Sequence, residues 1–339
     1  MHTYLIEMLE CPFCHGKLDW TITEKNDDRI EKAEVHCNIC NSIYSVRDGI
    51  GIFLPSQLQL DDNWERADNG LVQLLRKNPE LEYQLMKAPL DTLAPADQLF
   101  RSFVLEEQGN YIEAQIVEDS AKKGVYTPEY LNCWDRQMDY VIERLSTAEG
   151  PIVDIASGRC YLIEKIARRF KYSIVATDFS PKVLRRDRER LKSLGLYDHV
   201  SLLAFDARCT PFKNGAIATL STNLGFSNIE KPGSLISELR RIVNGTFLAI
   251  SNFFPEDDEE NAKAIHEANL DALLYKHTAL KHFTDAGWNV EVKNTCMGKA
   301  APTPISVLLD GAKIDSLPVA DTILEWCVLL GTNQLSKSK

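Results

Sequence analysis

No stretch of this 339-residue chain stays apolar for long enough to cross a bilayer, and its opening residues do not read as a leader, because a Cys-x-x-Cys pair begins at position 11. The expected location is cytoplasmic. Basic charge is also scarce: 38 Lys and Arg face 49 Asp and Glu, for a net charge of −11 and a pI near 5.2. Wrapping a phosphate backbone needs a basic face that displaces counterions, so nucleic acid is disfavoured as a partner. The one cationic stretch, Arg168, Arg169 and Lys171 followed by Lys182, Arg185, Arg186, Arg188, Arg190 and Lys192, reads as the solvated face of two helices. Paired cysteines are missing beyond position 40: Cys133, Cys160, Cys209, Cys296 and Cys327 stand singly, the pattern of a reducing compartment. A three-glycine dinucleotide loop is missing as well, which argues against cofactors bound through pyrophosphate.

What is present begins with Cys11-Pro-Phe-Cys14 and Cys37-Asn-Ile-Cys40, two knuckles with 22 residues between them. That spacing fits a tetrahedral four-thiolate zinc site on a small ribbon, with two disulfides as the alternative. A segment this short buries too little apolar surface to fold alone, and metal binding supplies roughly 10 kcal/mol or more. Four thiolates leave no open position, so the zinc is expected to be structural. Around the knuckles, Cys-Pro-Phe-Cys-His-Gly-Lys-Leu and Cys-Asn-Ile-Cys-Asn-Ser-Ile-Tyr-Ser-Val-Arg-Asp-Gly-Ile-Gly-Ile-Phe-Leu-Pro resemble the Trm112-like zinc ribbon over residues 5 to 55. Gly51 stands where that family usually has proline. In that family the ribbon is a partner or fused module of methyltransferases, which implies a methyltransferase in the rest of the chain and a protein partner contacted through the ribbon.

The expected divisions are a ribbon at 1–55, a helical linker or lid at 56–126 and a larger domain at 127–339. In the linker, Pro79, Pro89 and Pro95 interrupt a polar stretch and predict short helices. Thr127-Pro128 reads as an N-cap and first helical position, followed by a stripe of Tyr130, Leu131, Trp134, Met138, Val141, Ile142 and Leu145 that runs until Gly150-Pro151. Strands are expected at 151–156, 173–177, 200–205, 216–222 and 246–252, with helices near 161–170, 181–193 and 233–243. This alternation predicts βαβ crossovers and a mostly parallel α/β sheet, which binds ligands at the carboxyl ends of its strands. A helical segment at 259–286 and a strand at 288–293 complete the pattern.

The turn Val153-Asp154-Ile155-Ala156-Ser157-Gly158-Arg159-Cys160-Tyr161 follows the first strand, and Asp178, Asp206 and Asn223 end the next three. An acidic strand end and a turn of small residues let backbone approach a ligand, and a carboxylate about twenty residues on can accept both ribose hydroxyls. Asp178 has a second possible role as N-cap of the helix near Pro181. The whole arrangement resembles class I S-adenosylmethionine-dependent methyltransferases over residues 127 to 331. The resemblance implies a Rossmann-like sheet of seven strands with helices on both faces, in which the strand near 322–330 runs antiparallel. It further implies S-adenosyl-L-methionine as cofactor, with Asp154, Ala156, Ser157 and Gly158 at its methionine end. Asp178 would meet the ribose, Asp206 and Ala207 the adenine, and Asn223 and Leu224 the sulfonium. The family's loop usually has glycine at the positions of Ala156 and Cys160.

Methyl transfer asks mainly for alignment, with a base only where the acceptor must lose a proton. The catalytic candidates are His277, His282 and Asn223, with His266 in the same helical segment and Tyr126, Tyr130 and Trp134 as a lid. The acidic run at 256–260 is read as a helix start. The expected function is a methyltransferase acting on a small molecule or metabolite. The alternatives are an RNA methyltransferase and a methyltransferase fold that binds without turnover.

Overall fold

The computed structural model describes residues 1–55, 71 and 73–333. Its strands are β1 (Leu18–Asn26), β2 (Arg29–Cys37), β3 (Ile43–Arg47), β4 (Ile50–Ile52), β5 (Ile152–Asp154), β6 (Ile174–Asp178), β7 (Val200–Ala204), β8 (Ile217–Asn223), β9 (Val243–Phe253), β10 (Trp288–Ala300) and β11 (Thr322–Asn333). They form one sheet in the order β1-β2-β3-β4-β7-β6-β5-β8-β9-β11-β10. From β7 to β9 neighbouring strands are parallel, and β11 enters antiparallel beside β9 and β10. The run Ile323 to Leu330, whose composition also suits a helix, is therefore the expected antiparallel strand.

The larger domain supplies the expected seven strands, β5 to β11, and the ribbon's four extend the same sheet instead of forming a separate one. β4 pairs in parallel with β7, aligning Ile50 with Leu202 and Ile52 with Ala204, and the Phe53 N–H continues the seam to Ala204 O at 2.8 Å. An open sheet edge presents unpaired N–H and C=O groups, and the ribbon covers this one. The pairing explains Gly51. A Cβ there would lie 2.7 Å from Leu203 Cδ2 and 3.0 Å from Met1 Sδ. Proline would also remove a ladder hydrogen bond from a strand paired on both edges.

Helices α1 (Pro79–Lys87), α2 (Pro95–Glu107) and α3 (Tyr111–Val125) make the insertion between ribbon and larger domain. Pro79 and Pro95 start helices rather than break them, since a missing N–H costs nothing in a first turn. α2 and α3 are accordingly 13 and 15 residues long, longer than the short helices expected. The part of the expected linker at 56–70 lies outside the described residues. Helix α4 (Pro128–Leu145) is capped by Thr127, whose Oγ1 accepts the Tyr130 N–H at 3.1 Å, and it ends before Gly150.

Around the sheet follow α5 (Tyr161–Arg169), α6 (Pro181–Ser193), α7 (Pro232–Ile242), α8 (Glu259–Glu267), α9 (Asp271–Leu274) and α10 (Lys276–Asp285). One face of the sheet buries Phe205, Phe212 and Phe247 with the ribbon's Met1, Leu5 and Leu9, with Leu235 and Leu239 of α7, and with Ala279 and Phe283 of α10. The other buries Ile152, Ile174 and Leu202 against Met138 and Val141 of α4, Ile163 and Ile166 of α5, and Leu184 of α6.

Candidate functional site: the strand ends and the metal knuckles

The four knuckle sulfurs converge as the spacing predicts. All four Sγ atoms lie within 4.8 Å of one another, with Cys11 to Cys40 at 3.6 Å and Cys14 to Cys37 at 3.3 Å. Those separations are far too long for disulfides, whose S–S bond is about 2 Å. They approach the edge of a tetrahedron with Zn–S bonds of about 2.3 Å, so the residues fit the ion. Tyr44 Oη lies 3.2 Å from Cys11 Sγ and Ser42 Oγ 3.1 Å from Cys40 Sγ, supplying hydrogen bonds around the thiolates.

The residues of the expected cofactor site lie at or just past the carboxyl ends of β5 to β8, which are neighbouring strands of the sheet. Ala156, Ser157, Gly158, Asp178, Asp206, Ala207, Asn223 and Leu224 are all half-buried. The loop from Ile155 to Cys160 keeps a glycine-type path without the glycines: Ala156 (φ 53°), Gly158 (φ 53°) and Cys160 (φ 57°) are all left-handed. For Ala156 and Cys160 that conformation costs on the order of 1–2 kcal/mol each. A Cβ added at Gly158 would meet nothing within 4 Å, so the loop leaves open space where backbone is to approach a ligand. The Cys160 thiol turns away from that space, toward Asp187 Oδ2 at 3.5 Å in the interior.

Asp178 ties the loop after β5 to the end of β6. Its Oδ2 accepts the Gly158 N–H at 3.1 Å and its Oδ1 the Ser180 N–H at 3.0 Å, while the α6 cap is Ser180, whose Oγ accepts from Val183. The N-cap role weighed for Asp178 thus belongs to Ser180. Asp154 differs from the other expected ligands: it is fully buried, accepts from Ser221 Oγ at 2.7 Å, and burial pushes its carboxyl up to about 7. It supports the loop from beneath. Asp206 is gripped by the Arg208 guanidinium at 2.8 to 3.2 Å, so its carboxylate is already engaged.

Asn223 Oδ1 accepts from Trp134 Nε1 at 2.9 Å, which anchors an aromatic set at the end of β8. Tyr126 stacks on Tyr130 at 4.8 Å, Tyr130 meets Trp326 edge-on at 4.8 Å, and Trp134 meets Tyr161 at 5.6 Å. Three of these rings were expected as a lid, whereas Tyr161 and Trp326 come from elsewhere in the chain. His277 and His282 sit on α10, which packs on the opposite face of the sheet from the rings. His277 opens into a separate cavity of about 480 Å³ with Lys276, Phe253, Met297 and Glu325.

The insertion reaches the loop after β5 through buried charge. Arg159, in the cofactor loop, donates to Glu106 of α2 at 2.9 Å and lies 3.3 Å from Glu118 of α3. Arg190 joins Glu106 (3.3 Å) and Glu164 (3.1 Å), and the Tyr161 hydroxyl donates to Glu118. Burial alone would raise the Glu118 carboxyl, but Arg159, Lys122 and Arg190 outweigh it and hold it at about 2. The solvated helix face expected around residues 182–192 is thus half wrong. Arg190 is buried, and the side chain of Arg186 is only 9% exposed beside Glu106, because the insertion covers them.

The strand order is that of a Rossmann-like α/β sheet with one antiparallel strand, joined to a ribbon whose four cysteines are placed to bind a metal. Sequence families agree: residues 152–245 match the model described as methyltransferase domain, and residues 2–49 match that of Trm112p-like protein. No curated protein matches this chain in sequence. Among solved structures, YcgJ from Bacillus subtilis is similar at 13% identity, with 59% of this chain and 98% of that one covered and a TM-score of 0.48. Geranyl diphosphate C-methyltransferase from Streptomyces coelicolor, in complex with S-adenosyl-L-homocysteine, matches at 15% identity, covering 59% of this chain and 79% of its own, with a TM-score of 0.44. The [4+2]-cyclase SpnF matches at 14% identity over 59% of this chain and 80% of its own, with a TM-score of 0.44. Likenesses this distant carry no information about what this chain acts on.

Proposed function

We propose that this chain transfers the methyl group of S-adenosylmethionine to a small-molecule acceptor enclosed between the strand ends and the helical insertion. One observation carries the reading: the half-open residues at the ends of β5 to β8 run directly into the aromatic set at Asn223, which α2 and α3 roof through buried ion pairs. A roofed site of stacked rings on a chain of net charge −11 suits a small organic acceptor better than a nucleic-acid strand. In this reading the ribbon at 1–55 is structural, the insertion at 56–126 closes the site, and residues 127–339 bind the cofactor.

When bound, the cofactor supplies an electrophilic methyl on a sulfonium. Gly158 and Ser157 would give it backbone contact, Asp178 would accept its ribose hydroxyls, and Asn223 with Leu224 would line the sulfonium side. Trp134, fixed by its hydrogen bond to Asn223, excludes water and orients the acceptor, which is where most of the acceleration of an in-line displacement can arise.

The test is native mass spectrometry of the purified protein, followed by incubation with methyl-labelled S-adenosylmethionine and a metabolite extract. Retained cofactor or product, and label in a small molecule, support the reading. Label in RNA, or no cofactor uptake at all, overturns it in favour of the RNA or the non-catalytic alternative.

A further inference from the structure

We propose that Asp315 and the rings around it form an acceptor subsite that takes a small organic cation, an amine or quaternary ammonium. Asp315 lies in the long connection between β10 and β11, and its backbone N–H is held by Thr303 Oγ1 at 3.2 Å. Its Oδ2 accepts from the Tyr126 hydroxyl at 2.9 Å. Among the described residues that hydroxyl is the only partner of the carboxylate, and no Lys, Arg or His stands within ion-pair distance of it.

The contrast with the buried glutamates is sharp. Glu106 of α2, Glu118 of α3 and Glu164 of α5 are each paired with an arginine or lysine. A half-buried carboxylate with free lone pairs and no counter-ion is costly, and a bound cation removes that cost. Tyr126 both hydrogen-bonds Asp315 and stacks on Tyr130, so the three groups sit together, and burial raises the Asp315 carboxyl and both hydroxyls, with Asp315 itself adding to the rise at the two tyrosines.

The rings supply the second half of the recognition. Aromatic faces attract cations, and this set already holds one: Lys122 Nζ lies 3.8 Å from the centre of the Tyr161 ring. Lys122 is neutralised by Glu118 at 3.4 Å, so it does not compensate Asp315. The open charge is at the Tyr126 and Tyr130 end of the set, and Trp134 connects that end to Asn223. An amine held by Asp315 would therefore lie within a ring or two of the expected methyl position. An anionic acceptor would meet a carboxylate that has no counter-ion among the described residues, and a neutral one would leave it without one.

The consequence for the reaction rests on the methyl-transfer reading, but the binding is measured separately. The experiment is calorimetry on the full chain with S-adenosylhomocysteine present, using tetramethylammonium, 2-phenylethylamine, its neutral isostere 2-phenylethanol, and phenylacetate. The expected order is the two cations ahead of the alcohol by about tenfold or more, with phenylacetate weakest. Asp315→Asn should abolish the preference while leaving S-adenosylhomocysteine affinity unchanged, which also reports that the variant is folded. Tyr126→Phe should keep the preference for cations. No preference in the wild type, or a preference that survives Asp315→Asn, overturns the subsite. Cation binding without methyl transfer would leave the subsite standing and count against the methyl-transfer reading, and methyl transfer to an acceptor that lacks an amine would do the reverse.

Discussion

The ribbon and the helical insertion are attached to the same sheet with different emphasis, although the ribbon too has an ion pair to the larger domain, Glu10 to Arg241 at 2.8 Å. The ribbon joins through backbone pairing of β4 with β7 and through Met1, Leu5, Leu9 and Phe53, which enter the apolar core. The insertion joins through Glu106 and Glu118, which enter a cluster of arginines on the cofactor-loop side. Apolar burial and strand pairing are insensitive to pH, and they make the ribbon part of the fold. A buried ion cluster is different: replacing one charge leaves its partner uncompensated, so the joint can be broken at a single atom. The element that has to admit substrate is thus held by the breakable kind of joint, and it is held to Arg159, inside the loop that would carry the cofactor.

The largest effect should come from Cys37→Ser or from chelation. Losing the metal removes roughly 10 kcal/mol of folding free energy from the ribbon. Metal analysis should show release of one zinc, and hydrogen exchange should rise through β1 to β4 and into β7 while β8 and β9 stay protected. Exchange confined to the knuckles would show that the seam with β7 does not depend on the metal.

Glu118→Gln addresses the other joint and should cost about 3 kcal/mol, since it takes from half-buried Lys122 its ion-pair partner and from Arg159 one of its two carboxylates. Thermal unfolding followed by hydrogen exchange should place that loss in α2 and α3. The same carboxyl gives a pH signature. It is held at about 2 in the folded state against an ordinary 4.5, so its contribution is fully present above 4.5 and is lost as pH falls from there toward 2. The difference corresponds to about 3 kcal/mol. In Glu118→Gln that acid dependence should largely vanish.

The smallest effect should be Ala156→Gly. Restoring glycine at a left-handed position with little packing to lose should raise stability by about 1 kcal/mol at most, read as a small upward shift in Tm. A fall would mean that the methyl of Ala156 contributes more packing than its backbone costs.

Much of this was legible in the sequence where the signals are local. The knuckles give their own spacing, the strands from 152 to 253 are short β-rich runs bounded by polar turns, and Thr127-Pro128 announces a helix start. Asp178 and Asn223 end their strands and Asp206 follows β7 by two residues, as the alternation of strands and helices predicts. What was not legible is what depends on pairing across long separations. Nothing local says that Ile50 aligns with Leu202, so the ribbon was read as a separate module. Arg186 and Arg190 look like solvated helix residues until α2 and α3 are laid over them. Asp315, Trp326 and Tyr161 reach Tyr126 and Tyr130 only through the fold, and Asp154 has the sequence of a ligand but is enclosed by Ser221. The loop glycines missing at Ala156 and Cys160 left the cofactor loop's shape open; the backbone takes the left-handed conformation there regardless.

The central claim, that the ends of β5 to β8 hold S-adenosylmethionine, is tested most directly by calorimetric titration of the cofactor into the wild type and Asp178→Ala. The account predicts one site per chain and a variant that binds about ten- to a hundredfold more weakly, the loss of roughly 1.5–3 kcal/mol expected for hydrogen bonds to a charged group. Equal affinity in the two proteins, or no uptake by the wild type, would contradict it.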